Sequence, residues 1–183
     1  IPYMLIILLV EHGPYRYLSR SEILYEAYQA LSYGCSALSY FTYWTPDYEP
    51  VWKFRNGIIS SDGKKCSHYY DVQSINREIT AVGNIIAGTK SEAVFHIGEE
   101  KESVRQFCGY AGITEISGGN MTAGFFKGEM LLLANKNFDN SIEAKLKTDR
   151  KLELFDKKTG EWSYCGGSVY IEAGGGELIR ITE

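Results

Sequence analysis

The sequence holds little that points to metal or redox chemistry. Its four cysteines, Cys35, Cys66, Cys108 and Cys165, include no CxxC pair, and its three histidines stand at no paired spacing. Zinc sites draw on such spacings, so neither a metal nor a cofactor is assigned. The cysteines allow three pairings or four free thiols, and sequence does not choose among them. Lys and Arg number 19 against 23 Asp and Glu and do not cluster, which excludes a nucleic-acid surface. The apolar run Ile1–Val10 is ten residues, about half of the ~20 that a membrane helix needs. It lacks a leading Met, a basic stretch and a small-residue cleavage site, so it does not read as a signal peptide. No repeat and no low-complexity segment is present.

What is there begins with a strand. Tyr3–Val10 is apolar on both faces, as a fully buried strand of a parallel sheet requires, with Pro2 tolerable at its start. A chain that opens inside a core strand is expected to be a fragment. Ser19-Arg-Ser-Glu22 then makes a capping box, and Ile23, Leu24, Ala27, Tyr28 and Leu31 recur at helical spacing. Gly34 is placed to end that helix, and a strand over Ala37–Trp44 follows at once. This is the order of a parallel α/β unit. A long connection runs to about Ser67, and a second helix is expected over Tyr69–Ala87, with Val72, Ile75, Ile79, Val82 and Ile86 on one face.

The pattern changes near Gly88–Ser91. Beyond it the elements are short and bounded by Gly, Asn and Asp. Strands are expected over 93–97, 104–108, 114–117, 122–126, 129–135, 141–146, 151–156, 168–172 and 177–181, with turns at Lys127-Gly128 and Asp156–Gly160. Short strands at such spacing predict an antiparallel sandwich or barrel. Two domains are therefore expected, 1–90 and 91–183.

Fourteen tyrosines are unusual. A tyrosine joins an apolar face to a polar tip, which suits a sugar or peptide surface and equally a half-buried strand. Ser39–Pro50, SYFTYWTPDYEP, carries five rings. Core packing accounts for some, and a sugar cleft at the strand's end would account for the rest.

The order of elements resembles the end of a (β/α)8-barrel glycoside hydrolase. Arg20–Trp44, with its Ala-Leu-x-Tyr-Gly helix end running into an aromatic strand, is similar to helix 7, turn and strand 8 of bacterial beta-galactosidase-like enzymes of clan A. Gly57–Gly63, Tyr70 and Ile75–Ile79 resemble the entry to the last barrel helix. Leu131–Lys136 and Phe155–Trp162 resemble the trailing β-domain. The resemblance implies an α/β plus all-β chain: strands 7 and 8 of a TIM (β/α)8 barrel with their helices, then an antiparallel β-sandwich. The rest of the barrel would come from a missing N-terminal portion or another chain. A carbohydrate would be the substrate, and the compartment stays open, with a secreted or periplasmic parent as the expectation.

Barrel active sites lie at the C-terminal ends of the strands. The resemblance implies a nucleophile at the end of the first strand, where Glu11 is the candidate; its competing reading is a solvated carboxylate paired with Arg16. The acid/base would lie outside this chain. His12, Tyr15, Arg16, Tyr43, Trp44 and Trp52 are the candidates for binding sugar. Trp44 would offer a flat platform or pack against neighbouring strands, and a regular strand turns Tyr43 the opposite way. Against the hydrolase stand two other readings: a non-catalytic carbohydrate-binding module and a purely structural domain.

Overall fold

A computed structural model describes residues 2–98 and 103–183. In chain order the elements are β1 (Met4–Leu8), α1 (Arg20–Ser32), β2 (Ala37–Phe41), α2 (Ser67–Ile86), β3 (Ser91–Ile97), β4 (Ile113–Ser117), β5 (Met121–Phe126), β6 (Met130–Asn135), β7 (Ile142–Thr148), β8 (Lys151–Phe155), β9 (Trp162–Cys165), β10 (Ser168–Ile171) and β11 (Gly176–Thr182). The helices start where the local chemistry places them. Ser19 caps α1, and Glu22 returns the bond to the Ser19 backbone, which satisfies two backbone N–H groups that the first turn leaves open. The Arg16 guanidinium and the Ser19 groups hold the Glu22 carboxyl down at about 2.

The strands form three sheets. β1 and β2 pair in parallel with one another alone, Met4 opposite Ala37 through Leu8 opposite Phe41. Six strands form the order β3-β5-β6-β11-β8-β9, and three form β10-β7-β4; every pairing within these two sheets is antiparallel. The larger sheet is the middle layer. One of its faces meets the three-stranded sheet across a core that includes Phe95, Ile113, Ala123, Phe125, Leu131, Leu133, Val169 and Ile179. Its other face meets the helices and β1 across a second core, where Ile7, Leu24, Tyr28, Ile75 and Val82 join Phe126, Leu132, Ala134 and Leu178. β5 is accordingly buried at every residue. A side-chain period of two places alternate residues in different cores, and here both are apolar.

The barrel expectation is corrected by this architecture. The fold is β-rich, with two helices, and helix–strand alternation does not continue past α2. β1 and β2 make a two-stranded ribbon rather than part of a closing sheet. α1 covers the middle sheet, and its apolar stripe shares a core with strands far along the chain. Short-range pattern showed a strand, helix and strand; it did not show that the second half of the chain supplies the other wall of their core.

Three glycines let α1 sit so close. A Cβ at Gly124 would come within 2.2 Å of the Ser32 carbonyl oxygen, and one at Gly174 within 2.0 Å of the Ser21 oxygen. One at Gly176 would lie 2.4 Å from the Tyr28 ring. The remaining differences are local. Residues 104–108 contribute only an isolated bridge, His96 to Gln106, and β9 was not expected. The 151–156 strand turns at Asp156, whose side chain accepts from the Lys158 and Thr159 N–H groups at 2.7 and 3.1 Å.

Candidate functional site

The chain beyond β1 is shaped by a tight turn, His12-Gly13-Pro14-Tyr15. The His12 and Tyr15 backbones bond one another at 3.2 and 2.9 Å, and Gly13 takes a left-handed φ of 51° beneath the Trp52 ring. The long connection returns alongside. The Glu11 and Arg55 backbones exchange bonds of 2.9 and 3.0 Å, and the Gly13 N–H donates to the Trp52 carbonyl at 2.7 Å. One carboxylate organises the Trp52 loop: Glu49 accepts from the N–H groups of Val51 at 3.0 Å, Lys53 at 3.2 Å, and Trp52.

On this frame the rings gather around His12. Its imidazole lies 4.9 Å from Tyr15, 4.9 Å from Phe54 in a stacked pair, 6.0 Å from Trp52 and 6.2 Å from Phe41. Tyr15, Phe41 and Trp52 remain exposed. His12 Nδ1 donates to the Val10 carbonyl at 2.9 Å, so Nε2 is the nitrogen turned to other partners. His12 is therefore the centre of an aromatic cluster rather than an isolated loop histidine.

Glu11 stands beside the cluster and is only 8% exposed. Arg55 Nε donates to its Oε2 at 2.8 Å, and the Asn56 amide donates to Oε1. Burial opposes its ionisation, but the bonds from Asn56 and Arg55 outweigh burial, and the carboxyl lies below its ordinary value. Glu11 is thus an ordered carboxylate. Its partner is Arg55; Arg16 turns instead to the capping Glu22 and donates to the Tyr17 carbonyl.

The remaining candidates lie apart. β2 ends at Phe41, and the chain then runs beside residues 57–59: the Ile59 N–H donates to the Tyr43 carbonyl at 2.7 Å, and the Thr45 N–H to Ile59 at 2.7 Å. Tyr43 is 60% and Trp44 50% exposed, so neither packs a core. Neither makes a ring contact with the His12 cluster among the described residues. Sequence reasoning missed Phe41, Arg55 and Asn56 as parts of the site. Asn56 precedes Gly57 and adopts a left-handed φ of 55°, a turn signal readable in Asn-Gly; nothing in the sequence marks Arg55.

A second concavity, about 1100 Å3, opens between the helices and the sandwich. Its floor is an ion network. Lys157 Nζ lies 2.8 Å from Glu177 and 3.4 Å from Glu78, and Arg20 bridges Glu78 and Glu172 at 3.0 and 2.9 Å. Burial pushes the Glu177 carboxyl above its ordinary value although Lys157 counters it. Each of these five charges is engaged by another, which makes the network a tie between layers.

Among the described residues no group of three or more His, Cys, Asp or Glu could hold a metal ion, the four cysteines are free, and no helix is long and apolar enough to cross a membrane. Fold and site together define a β-rich, three-layered protein with an aromatic loop site beside a fixed carboxylate. Comparison with protein-family models and with curated proteins gives no match.

Proposed function

We propose that the chain belongs to a carbohydrate-active protein of the glycoside hydrolase type, with the loops beyond β1 and β2 forming one wall of the sugar site. The observation that carries this reading is the shelf of exposed rings on His12, next to the ionised Glu11. Sugars offer C–H faces to aromatic rings and hydroxyl edges to polar groups. Tyr15 and Trp52 are the faces, and His12 Nε2 is an acceptor for a hydroxyl. Retaining hydrolysis needs a second carboxyl group about 5–5.5 Å from the first. The hydrolase reading places that acid partner on other polypeptide. The ribbon's outer face supports such a partner. Met4 and Ile6 are 55% and 56% exposed, whereas parallel sheets are normally covered on both faces.

A second reading, a sugar-binding wall without chemistry, is favoured by one observation. Both Glu11 oxygens are already engaged, by Arg55 and by Asn56, as in a structural ion pair. Calorimetry on an oligosaccharide panel and mass spectrometry after treatment with activated 2-deoxy-2-fluoro glycosides, with Trp52→Ala and Glu11→Gln beside the parent chain, separate the two. Loss of one stacking ring weakens binding by about tenfold. Because the leaving group of an activated glycoside needs no acid, a glycosyl adduct on Glu11 that Glu11→Gln abolishes supports the hydrolase, and binding without an adduct supports the second reading. No sugar bound by the parent chain sinks both.

A further inference from the structure

We propose that His68 is a positioning residue for Glu11: a buried imidazolium that donates from both ring nitrogens and so fixes Asn56, which in turn holds the carboxylate. His68 sits in the first turn of α2 and has no exposed surface. Its Nδ1 lies 2.8 Å from the Asn56 carbonyl oxygen and its Nε2 2.9 Å from the Leu18 carbonyl oxygen. A carbonyl oxygen only accepts. Each ring nitrogen must therefore donate, and only the doubly protonated ring has two N–H groups; a neutral ring would set a lone pair against one carbonyl in a site that water does not reach.

The surroundings suit a cation. The Tyr17 ring lies flat on the imidazole, 4.3 Å away and tilted by 7°, which presents the negative face of its π system. The opposite charge comes from Glu11, whose carboxyl His68 helps to hold down. The titratable and charged groups around the Tyr17–His68 stack are Glu11 beyond β1, Tyr17 ahead of α1, Arg55 in the long connection, and Cys66 and Asp71 at the start of α2. Of these Arg55 alone is a cation, and Glu11 occupies it at 2.8 Å.

The mechanical link runs through one residue. Asn56 has a left-handed φ, which asparagine adopts more readily than most side-chain-bearing residues, and the His68 bond to its carbonyl ties that turn to α2. The same residue's amide bonds Glu11 Oε1. Loss of the second proton on His68 would release one carbonyl and loosen the donor on Glu11.

The inference rests on the reading of Glu11 as the carboxylate of the site, but its test needs no sugar. Nitrogen-15 NMR of the chain with labelled histidine reads the protonation of each ring nitrogen directly. With three histidines in the sequence, His12→Gln and His96→Gln variants assign the signals. The expected result is two protonated nitrogens on His68 at neutral pH. Carbon-13 NMR of the Glu11 carboxyl follows its titration in the parent chain and in His68→Gln. The expected shift in the variant is upward, because a neighbouring cation is gone. One protonated nitrogen at neutral pH, or an unmoved Glu11 in a folded variant, overturns the proposal. If His68→Gln does not fold, the nitrogen pattern of the parent chain decides alone. Failure of sugar binding would sink the functional reading and leave both NMR outcomes as they are.

Discussion

β1 and β6 carry almost the same sequence, Met-Leu-Ile-Ile-Leu and Met-Leu-Leu-Leu-Ala-Asn, and live in opposite settings. Leu131 through Asn135 in β6 are all buried, with helices on one side and the three-stranded sheet on the other. In β1 only Ile7 is fully buried, while Met4 and Ile6 face outward. An apolar run thus states that a strand can be covered on both faces; it does not state what covers it. The sandwich provides its own cover, and the ribbon borrows half of its cover from the sandwich and leaves the other half open.

The contrast predicts unequal costs for equal truncations. Leu132→Ala should lower stability by about 2–5 kcal/mol, since it empties a site closed on all sides. Ile6→Ala should cost less than about 1 kcal/mol. Denaturant titration of both variants measures the difference, and a comparable loss at Ile6 would mean that the ribbon's outer face is covered in the folded chain.

A smaller effect is expected where the two regions touch. Gly124→Ala places a methyl group against the Ser32 carbonyl, and overpacking of this kind costs about 1–3 kcal/mol. The loss should be accompanied by a weaker helical circular-dichroism signal, because α1 must lift. A full cost with α1 undisturbed would place the strain in the sheet instead.

The smallest effect is local to α1. Ser19→Ala should cost about 1 kcal/mol. Glu22 adds a pH dependence whose sign is set by its lowered value. Its contribution is complete above the ordinary 4.5 and is lost as the pH falls toward about 2. Acid titration of stability should therefore be flatter over that window in Glu22→Gln. An unchanged slope would remove Glu22 from the account.

These local devices are the part of the molecule that the sequence discloses. The capping box, the α2 stripe and the turn at Asp156 depend on residues within a few positions of one another, and each stands where the spacing puts it. The barrel reading failed because the partners of β1, α1 and β2 are set by long-range burial. Leu24 and Tyr28 meet Leu178, and no local pattern encodes that meeting. The site divides in the same way. Glu11, His12, Tyr15 and Trp52 were recognisable as a carboxylate and rings near a strand end. Their assembly by Glu49, Arg55 and Asn56 was not, since those residues arrive from a connection that has no periodicity to read.

The three glycines under α1 have a consequence in time. During synthesis, at about 5–20 residues per second, the end of the helix is made well before Gly124, and roughly seven to thirty seconds before Gly174 and Gly176. In that interval its apolar stripe has only part of its seat, the part that β1 and α2 supply, and lacks the sheet. α1 is thus among the last elements to be fully covered, although it is made early: the strands that close over Ile23, Leu24, Ala27 and Leu31 come later in the chain.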